Sequence, residues 1–338
     1  MKLSRRDRRD WRIIAWIGLT SAVVSVFFGM AIRPEAVPAP DVILTSVATS
    51  VMIATPISLL ELRGRRSSLL RRLRRLPLAA FFGLKVLAYL VVILCGLTVG
   101  RLLFAPVERA FAFDSAFETS IVFAIVMSVV ANLVFEMGGL LGYGTLRNLL
   151  TGRYVQPRRE HRAFLLIDMK GSTTIAERLG PIRFHELLND FFRNVADAAL
   201  ECEGEIHKYV GDEAILTWRE ATDDCLRCPF VVRDLIERHR SHYEHRYSVV
   251  PEFRAALHYG EIVAGEIGDM RREIAYVGDT LNVAARLLEA AKQLGEDVLV
   301  SADLLERAQL PPGLRAIDLP TLAVRGRVAP LGIAALRA

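Results

Sequence analysis

The stretch Glu205-Ile206-His207-Lys208-Tyr209-Val210-Gly211-Asp212-Glu213-Ala214-Ile215-Leu216 decides how the second half of the chain is read. Two short runs of strand-forming residues flank Gly211-Asp212, and a Gly-X pair between such runs is a two-residue hairpin signal. The turn leaves Asp212 at the hairpin tip, with Lys208 a few residues back. A lone aspartate there is ordinary turn chemistry. A second carboxylate changes the reading. Phe164-Leu165-Leu166-Ile167-Asp168 reads as a buried strand ending in an acid, followed by Lys170-Gly171-Ser172-Thr173-Thr174 and an amphipathic helix. Two carboxylates on strand or loop ends, beside a Gly-Ser-Thr helix start, suit a divalent cation and a phosphate group.

Outward from this pair, strands and helices alternate. The pattern predicts a strand at 163–168, helices at 173–179 and 182–202, the hairpin at 205–218 and a helix at 224–243. A hairpin at 253–267, a strand at 273–277, a helix at 281–294, a strand at 297–300, a helix at 302–308 and a C-terminal strand pair complete it. A βαββαβ core with appended elements is an α+β sandwich of ferredoxin type, in which the first strand lies centrally beside the hairpin. That topology brings Asp168 and Asp212 within reach of shared metal ions. Cys225-Leu226-Arg227-Cys228 has metal or redox spacing, but no second pair accompanies it and it opens a helical pattern, so buried helix thiols are expected. With 4 cysteines in all there is no disulfide framework, in keeping with a reducing compartment.

The first half is of another kind. The chain has 338 residues, 52% of them hydrophobic, with a formal net charge of +5, and most long apolar runs lie before residue 150. Residues 13–32, 42–60, 77–104 and 117–142 are each apolar and long enough to span a bilayer. The first is too long for a signal-peptide core, although Ala36-Val37-Pro38-Ala39 mimics a cleavage site and a cleaved signal stays open as the alternative. Arginine crowds the segments before the first span, between the second and third, and after the fourth, whereas the other two connections are short and nearly neutral. The positive-inside rule then places both termini in the cytoplasm of a multi-pass inner-membrane protein. The basic runs abut apolar segments, which favours a lipid bilayer over a nucleic acid polymer as partner. No histidine precedes His161, so axial haem ligation by histidine in the bundle is excluded. Lys85 and Glu136 both fall toward the cytoplasmic side of their spans; either they pair, or Lys85 snorkels while Glu136 faces a polar interior. The expected domains are a transmembrane four-helix bundle at 1–143, a helical connector at 144–162 and a catalytic domain at 163–338.

Three segments together resemble the class III nucleotidyl cyclase signatures: Phe164-Leu165-Leu166-Ile167-Asp168-Met169-Lys170-Gly171-Ser172-Thr173, His207-Lys208-Tyr209-Val210-Gly211-Asp212, and Val277-Gly278-Asp279-Thr280-Leu281-Asn282-Val283-Ala284-Ala285-Arg286. The resemblance runs from about His161 to the C-terminus; the membrane half resembles bacterial cyclase anchors in architecture alone. It implies that Asp168 and Asp212 hold two Mg²⁺ or Mn²⁺ ions, and that main-chain amides near Gly171, Ser172 and Thr173 cradle the β- and γ-phosphates of ATP. It also implies that Asn282 orients the ribose while Arg286 stabilises charge on the α-phosphate. Arg271 or its neighbour Arg272, and Arg325 or Arg327, match places where the family sets a basic residue on the phosphates. Lys208 matches the family's purine-reading lysine. Its usual partner position holds Ala275, which has no side-chain acceptor. The resemblance further implies a homodimer, because family members take the metal acids from one protomer and the lysine, asparagine and arginine from the other. The implied activity is conversion of ATP to 3′,5′-cyclic AMP and pyrophosphate. A guanylate or mixed-specificity cyclase, and a catalytically silent nucleotide-binding sensor, are the alternatives. The four spans are expected to serve as a dimerising or ligand-sensing element whose ligand the sequence does not name.

Overall fold

The computed structural model describes residues 5–33, 37–64, 73, 76–104, 115–270, 272–323 and 330–338. The chain divides into two compact units, Met1–Leu141 and Gly142–Ala338. The first holds four helices, α1 (Arg5–Ala31), α2 (Ala39–Gly64), α3 (Leu78–Phe104) and α4 (Ser115–Leu141). All four are long and apolar enough to cross a membrane. Glycines set their packing: a Cβ at Gly29 of α1 would strike Ser46 of α2, and one at Gly96 of α3 would meet Ile53 of α2 at 2.5 Å. Small residues let helix backbones approach where lipid supplies no hydrophobic drive. Lys85 ion-pairs at 2.7 Å with both Glu136 and Glu61, and donates to Asn132 Oδ1 at 3.1 Å. Tyr89 donates to Glu61 as well. The expected Lys85–Glu136 pair is therefore present, inside a larger cluster to which Glu61 contributes. Glu61 lies beyond the apolar stretch read for the second span, which is why the pattern passed over it.

In the second unit a short helix α5 (Tyr143–Leu150) follows Gly142, whose φ of 84° breaks the run from α4. The strands are β1 (Arg158–Met169), β2 (Glu205–Val210), β3 (Glu213–Trp218), β4 (Phe253–Ile267), β5 (Glu273–Val277), β6 (Val298–Ser301), β7 (Arg315–Leu322) and β8 (Leu331–Arg337). The helices are α6 (Ser172–Leu179), α7 (Pro181–Glu201), α8 (Asp223–Arg238), α9 (Arg240–Tyr247), α10 (Asp279–Leu294) and α11 (Ala302–Leu305). The sheet order is β2-β3-β1-β4-β6-β8-β7, with β5 pairing β4, so β1 lies between the β2–β3 hairpin and β4 as the ferredoxin-type reading requires. Period-two alternation gives β1 two buried faces. Leu165 and Ile167 pack with Leu187 and Phe191 of α7 and Val232 of α8, while Phe164 and Leu166 pack with Val283, Ala284 and Leu287 of α10. Each such side chain contributes about 1.5–3 kcal/mol by leaving water.

Four sequence expectations change. The hairpin at 253–267 is one strand of 15 residues, paired with β1 from Met169↔Phe253 to Arg158↔Ala264. Gly260 is there for close approach rather than for a turn: a Cβ on it would meet Thr280 Oγ1 at 2.6 Å. The helix expected at 224–243 is two helices meeting at His239. Strand β1 begins at Arg158, inside the stretch read as connector. Arg162, counted with the cytoplasmic basic residues, is wholly buried. It donates to Glu160 Oε2 and to Tyr154 Oη, and its guanidinium lies 4.8 Å over the Tyr276 ring. Burial alone would raise the Glu160 carboxyl, but hydrogen bonds from Arg153 and Arg162 hold it below the usual carboxylate range.

Candidate active site

Asp168 is the penultimate residue of β1, and Asp212 is the second residue of the two-residue turn between β2 and β3. Gly211 supplies the turn's positive φ, 61°. Because β1 pairs β3 antiparallel, with Asp168 opposite Glu213, the strand end and the hairpin tip converge. The Asp168 carboxyl is pushed up to about 6, first by burial and then by the Asp212 carboxylate beside it, which also hydrogen-bonds it. Glu213 is pushed up to about 7 by burial and by the same two acids. Sequence reading missed Glu213; its position next to Asp212 and across from the strand-ending acid was the available signal. Arg254 and Lys292 offset the charge at Asp168 only in smaller measure. Oxygen donors with excess negative charge are what a hard divalent cation requires, so these residues fit such a metal. Among the described residues no group of three or more His, Cys, Asp or Glu has metal-holding geometry.

Just past β1, Gly171 takes a left-handed φ of 64° and precedes the first turn of α6, where Ser172 and Thr173 lie. Helix starts leave their first amides without intrahelical acceptors, and those amides favour anions. Lys170 turns away from this end: its ammonium pairs with Asp297 at 2.5 Å and Glu252 at 3.4 Å.

Lys208 on β2 stands 4.0 Å from the Glu273 carboxylate of β5, and both are about half exposed. Beside them His207 packs on Tyr276 at 4.5 Å and is pushed down to about 4, by burial and then by Lys208. Asn282 and Arg286 share the exposed face of α10, whose other face packs on the sheet through Val283, Ala284, Leu287 and Leu288. Arg286 donates to Glu289 one turn on, at 2.8 Å. The chain thus brings Asp168 and Asp212 together and leaves Arg286 and Asn282 facing outward. Arg271, Arg325 and Arg327 lie outside the described residues; Arg272 is 4.0 Å from Glu266. The Cys225 and Cys228 thiols are buried, and burial pushes Cys225 up to about 12, so they are inert packing groups.

A ferredoxin-like sheet domain with paired, only partly compensated acids at a strand end and a hairpin tip is the class that fold and site define. A family model for the Adenylate and Guanylate cyclase catalytic domain matches residues 155–327. The chain is 37% identical over 303 residues to "Adenylate cyclase 2" of Rhizobium meliloti (strain 1021), covering 87% of this chain and 84% of that protein. That match is longer than the second unit, so it extends into the four-helix unit. An adenylate cyclase of Anabaena cylindrica is 26% identical over 171 residues, 48% of this chain and 34% of its own length. A solved bacterial light-regulated adenylyl cyclase shares the fold at a TM-score of 0.54 and 16% identity, covering 63% of this chain and 64% of that one. The chain belongs to the adenylate/guanylate cyclase family, and its second unit carries that family's catalytic domain.

Proposed function

We propose that this protein is a membrane-anchored adenylate cyclase that converts ATP to 3′,5′-cyclic AMP and pyrophosphate at sites built by a homodimer. The observation that carries the reading is the Asp168–Asp212 pair, two adjoining acids whose charge the fold leaves largely uncompensated. Asp168 and Asp212 would hold two divalent cations, Mg²⁺ or Mn²⁺, which when bound lower the pKa of the ribose 3′-hydroxyl and neutralise the triphosphate. In the reaction the 3′-oxygen forms a bond to the α-phosphorus, the bond from that phosphorus to the β-phosphate bridging oxygen breaks, and the hydroxyl proton passes to water. Main-chain amides of Ser172 and Thr173 after Gly171 hold the β- and γ-phosphates, with Arg271 and Arg325 as further phosphate contacts. Asn282 orients the ribose. Arg286 donates to the α-phosphate oxygens as their charge grows.

Support for the dimer comes from placement. Asn282 and Arg286 lie on the exposed face of α10, which suits residues that complete a partner's site. Mixing Asp168→Asn protomers with Arg286→Ala protomers tests this, since each is strongly impaired alone and the mixed dimer keeps one intact site. Recovered turnover supports shared sites; none refutes them.

Specificity has a second reading. Lys208 donates toward the adenine ring, but Ala275 offers no acceptor for the amino group, so discrimination against GTP is weakened. Assays of the purified full chain with ATP and with GTP, each with Mg²⁺ and Mn²⁺, separate adenylate from mixed activity. Four helices of spanning length, with arginine at alternate connections, support a reading in which residues 1–143 lie in the inner membrane and the catalytic domain lies in the cytoplasm.

A further inference from the structure

The four-helix unit contains a cavity of about 240 Å³ that the cyclase chemistry does not use. An apolar cavity of about 150 Å³ already admits benzene, so this one is large enough for a ligand. Close packing of α2 on α1 at Gly29 and on α3 at Gly96 and Gly100 leaves the gap along α4. The α4 wall includes Ser120, Ala124, Met127, Ser128 and Phe135, and Phe123 stacks on Phe28 of α1 at 3.9 Å.

The cavity has two ends of different chemistry. At one end lie Arg101 near the close of α3, Thr45 near the start of α2 and Ser120 near the start of α4, joined by Ser25, Ser46 and Thr49. The Arg101 guanidinium sits 4.4 Å over the Phe117 ring, which holds a cation at that mouth. Toward the other end the wall is mainly apolar, with Ile17, Ile53, Ile57, Met127 and Phe135, and Ser21, Ser58 and Ser128 are set among them. From Thr45 to Ser58 along α2 the cavity runs about 20 Å at 1.5 Å per residue. Three residues from the end of its span, Arg101 lines the cavity with its stem while its charged head stands toward the interface, which puts a positive charge at this mouth.

We infer that this cavity binds a single-chain amphiphile with a carboxylate head, its head at Arg101 and its chain lying along α4. One wall is α4, whose last residue, Leu141, directly precedes the catalytic unit in the chain, so filling the cavity changes cyclase turnover; this last clause rests on the function proposed above.

The test uses the full chain in nanodiscs of phosphatidylcholine, with oleate as probe and oleyl alcohol as the neutral control. Bound lipid is read by native mass spectrometry and turnover is read separately. Saturable binding of oleate is expected, with Arg101→Gln weakening it about tenfold, the scale of one lost charge-assisted contact. Oleyl alcohol should bind correspondingly less well, and Ala124→Trp, which fills the cavity, should abolish binding. Oleate binding no greater than in empty nanodiscs overturns the inference. So does binding unchanged in both variants, or phosphatidylcholine retained in the cavity against oleate. Oleate that binds yet leaves the turnover of an active enzyme unchanged overturns the coupling to α4. A preparation inactive in every nucleotide assay sinks the cyclase reading instead, while the binding measurement still decides the cavity.

Discussion

In the four-helix unit Glu61 and Glu136 both close on Lys85 at 2.7 Å, while in the sheet unit Asp168 and Asp212 adjoin each other with cations only at a remove. Both arrangements take carboxylates out of bulk water. The first carries its own counter-ion, one ammonium between two carboxylates, with Asn132 and Tyr89 hydrogen-bonding the cluster, and so offsets part of its charge directly. The second is offset only in smaller measure, by Lys292 and Arg254, and Asp168 resists ionisation. An acid cluster with its own cation holds helices together, whereas one without is built to receive a cation from outside.

The sharpest way to break this comparison is Asp168→Asn or Asp212→Asn. Either should lower turnover about 10⁴-fold, roughly 5 kcal/mol of lost charge stabilisation, with the fold kept by circular dichroism. Activity within tenfold of wild type would remove the metal role. Lys85→Met makes the opposite kind of lesion. Leaving two acids without their cation should destabilise the four-helix unit by about 3–5 kcal/mol, read as loss of detergent resistance. Adding Glu61→Gln and Glu136→Gln to that variant should restore most of it. If the single variant is as stable as wild type, the cluster is not structural. Arg286→Ala should lower kcat about 100-fold while leaving KM nearly unchanged, since its contact is assigned to the transition state. A rise in KM alone would make it a ground-state binding residue.

The smallest effect concerns pH. The Asp168 carboxyl ordinarily titrates near 3.8 and here near 6, so between those values the folded protein keeps a proton that the unfolded chain has released. Its contribution to stability is therefore fully present below about pH 4 and lost as pH rises through 6. Asp168→Asn removes the liability. In chelator at pH 7 the variant should exceed wild type by about 1–2 kcal/mol, allowing for solvent screening of a half-buried group, and the gap should close near pH 4. Identical unfolding curves at both pH values would mean the acids are better compensated than their surroundings indicate.

Much of the site was legible because its parts are local. The Gly211-Asp212 turn lies between two strand-like runs, Asp168 ends an apolar strand, and Asn282 and Arg286 are four apart on a helix. Glu213 escaped notice because its influence depends on pairing across strands, which puts it opposite Asp168. Gly260 misled for a related reason. Within its own segment it looks like a turn, and only Thr280 from α10 shows that the space was needed.

The order of residues along the chain determined the four apolar helices, the hairpin, the first strand with its acid and the amphipathic helix α10, because length and periodicity of apolar residues are properties of neighbours. Tertiary structure alone decided which distant groups share an environment. It buried Arg162 beneath Tyr276, brought Glu61 to Lys85, opened the cavity along α4 and left Asp168 with another acid for company. Charge compensation is set by separation in space, and folding draws together residues that lie far apart in the chain.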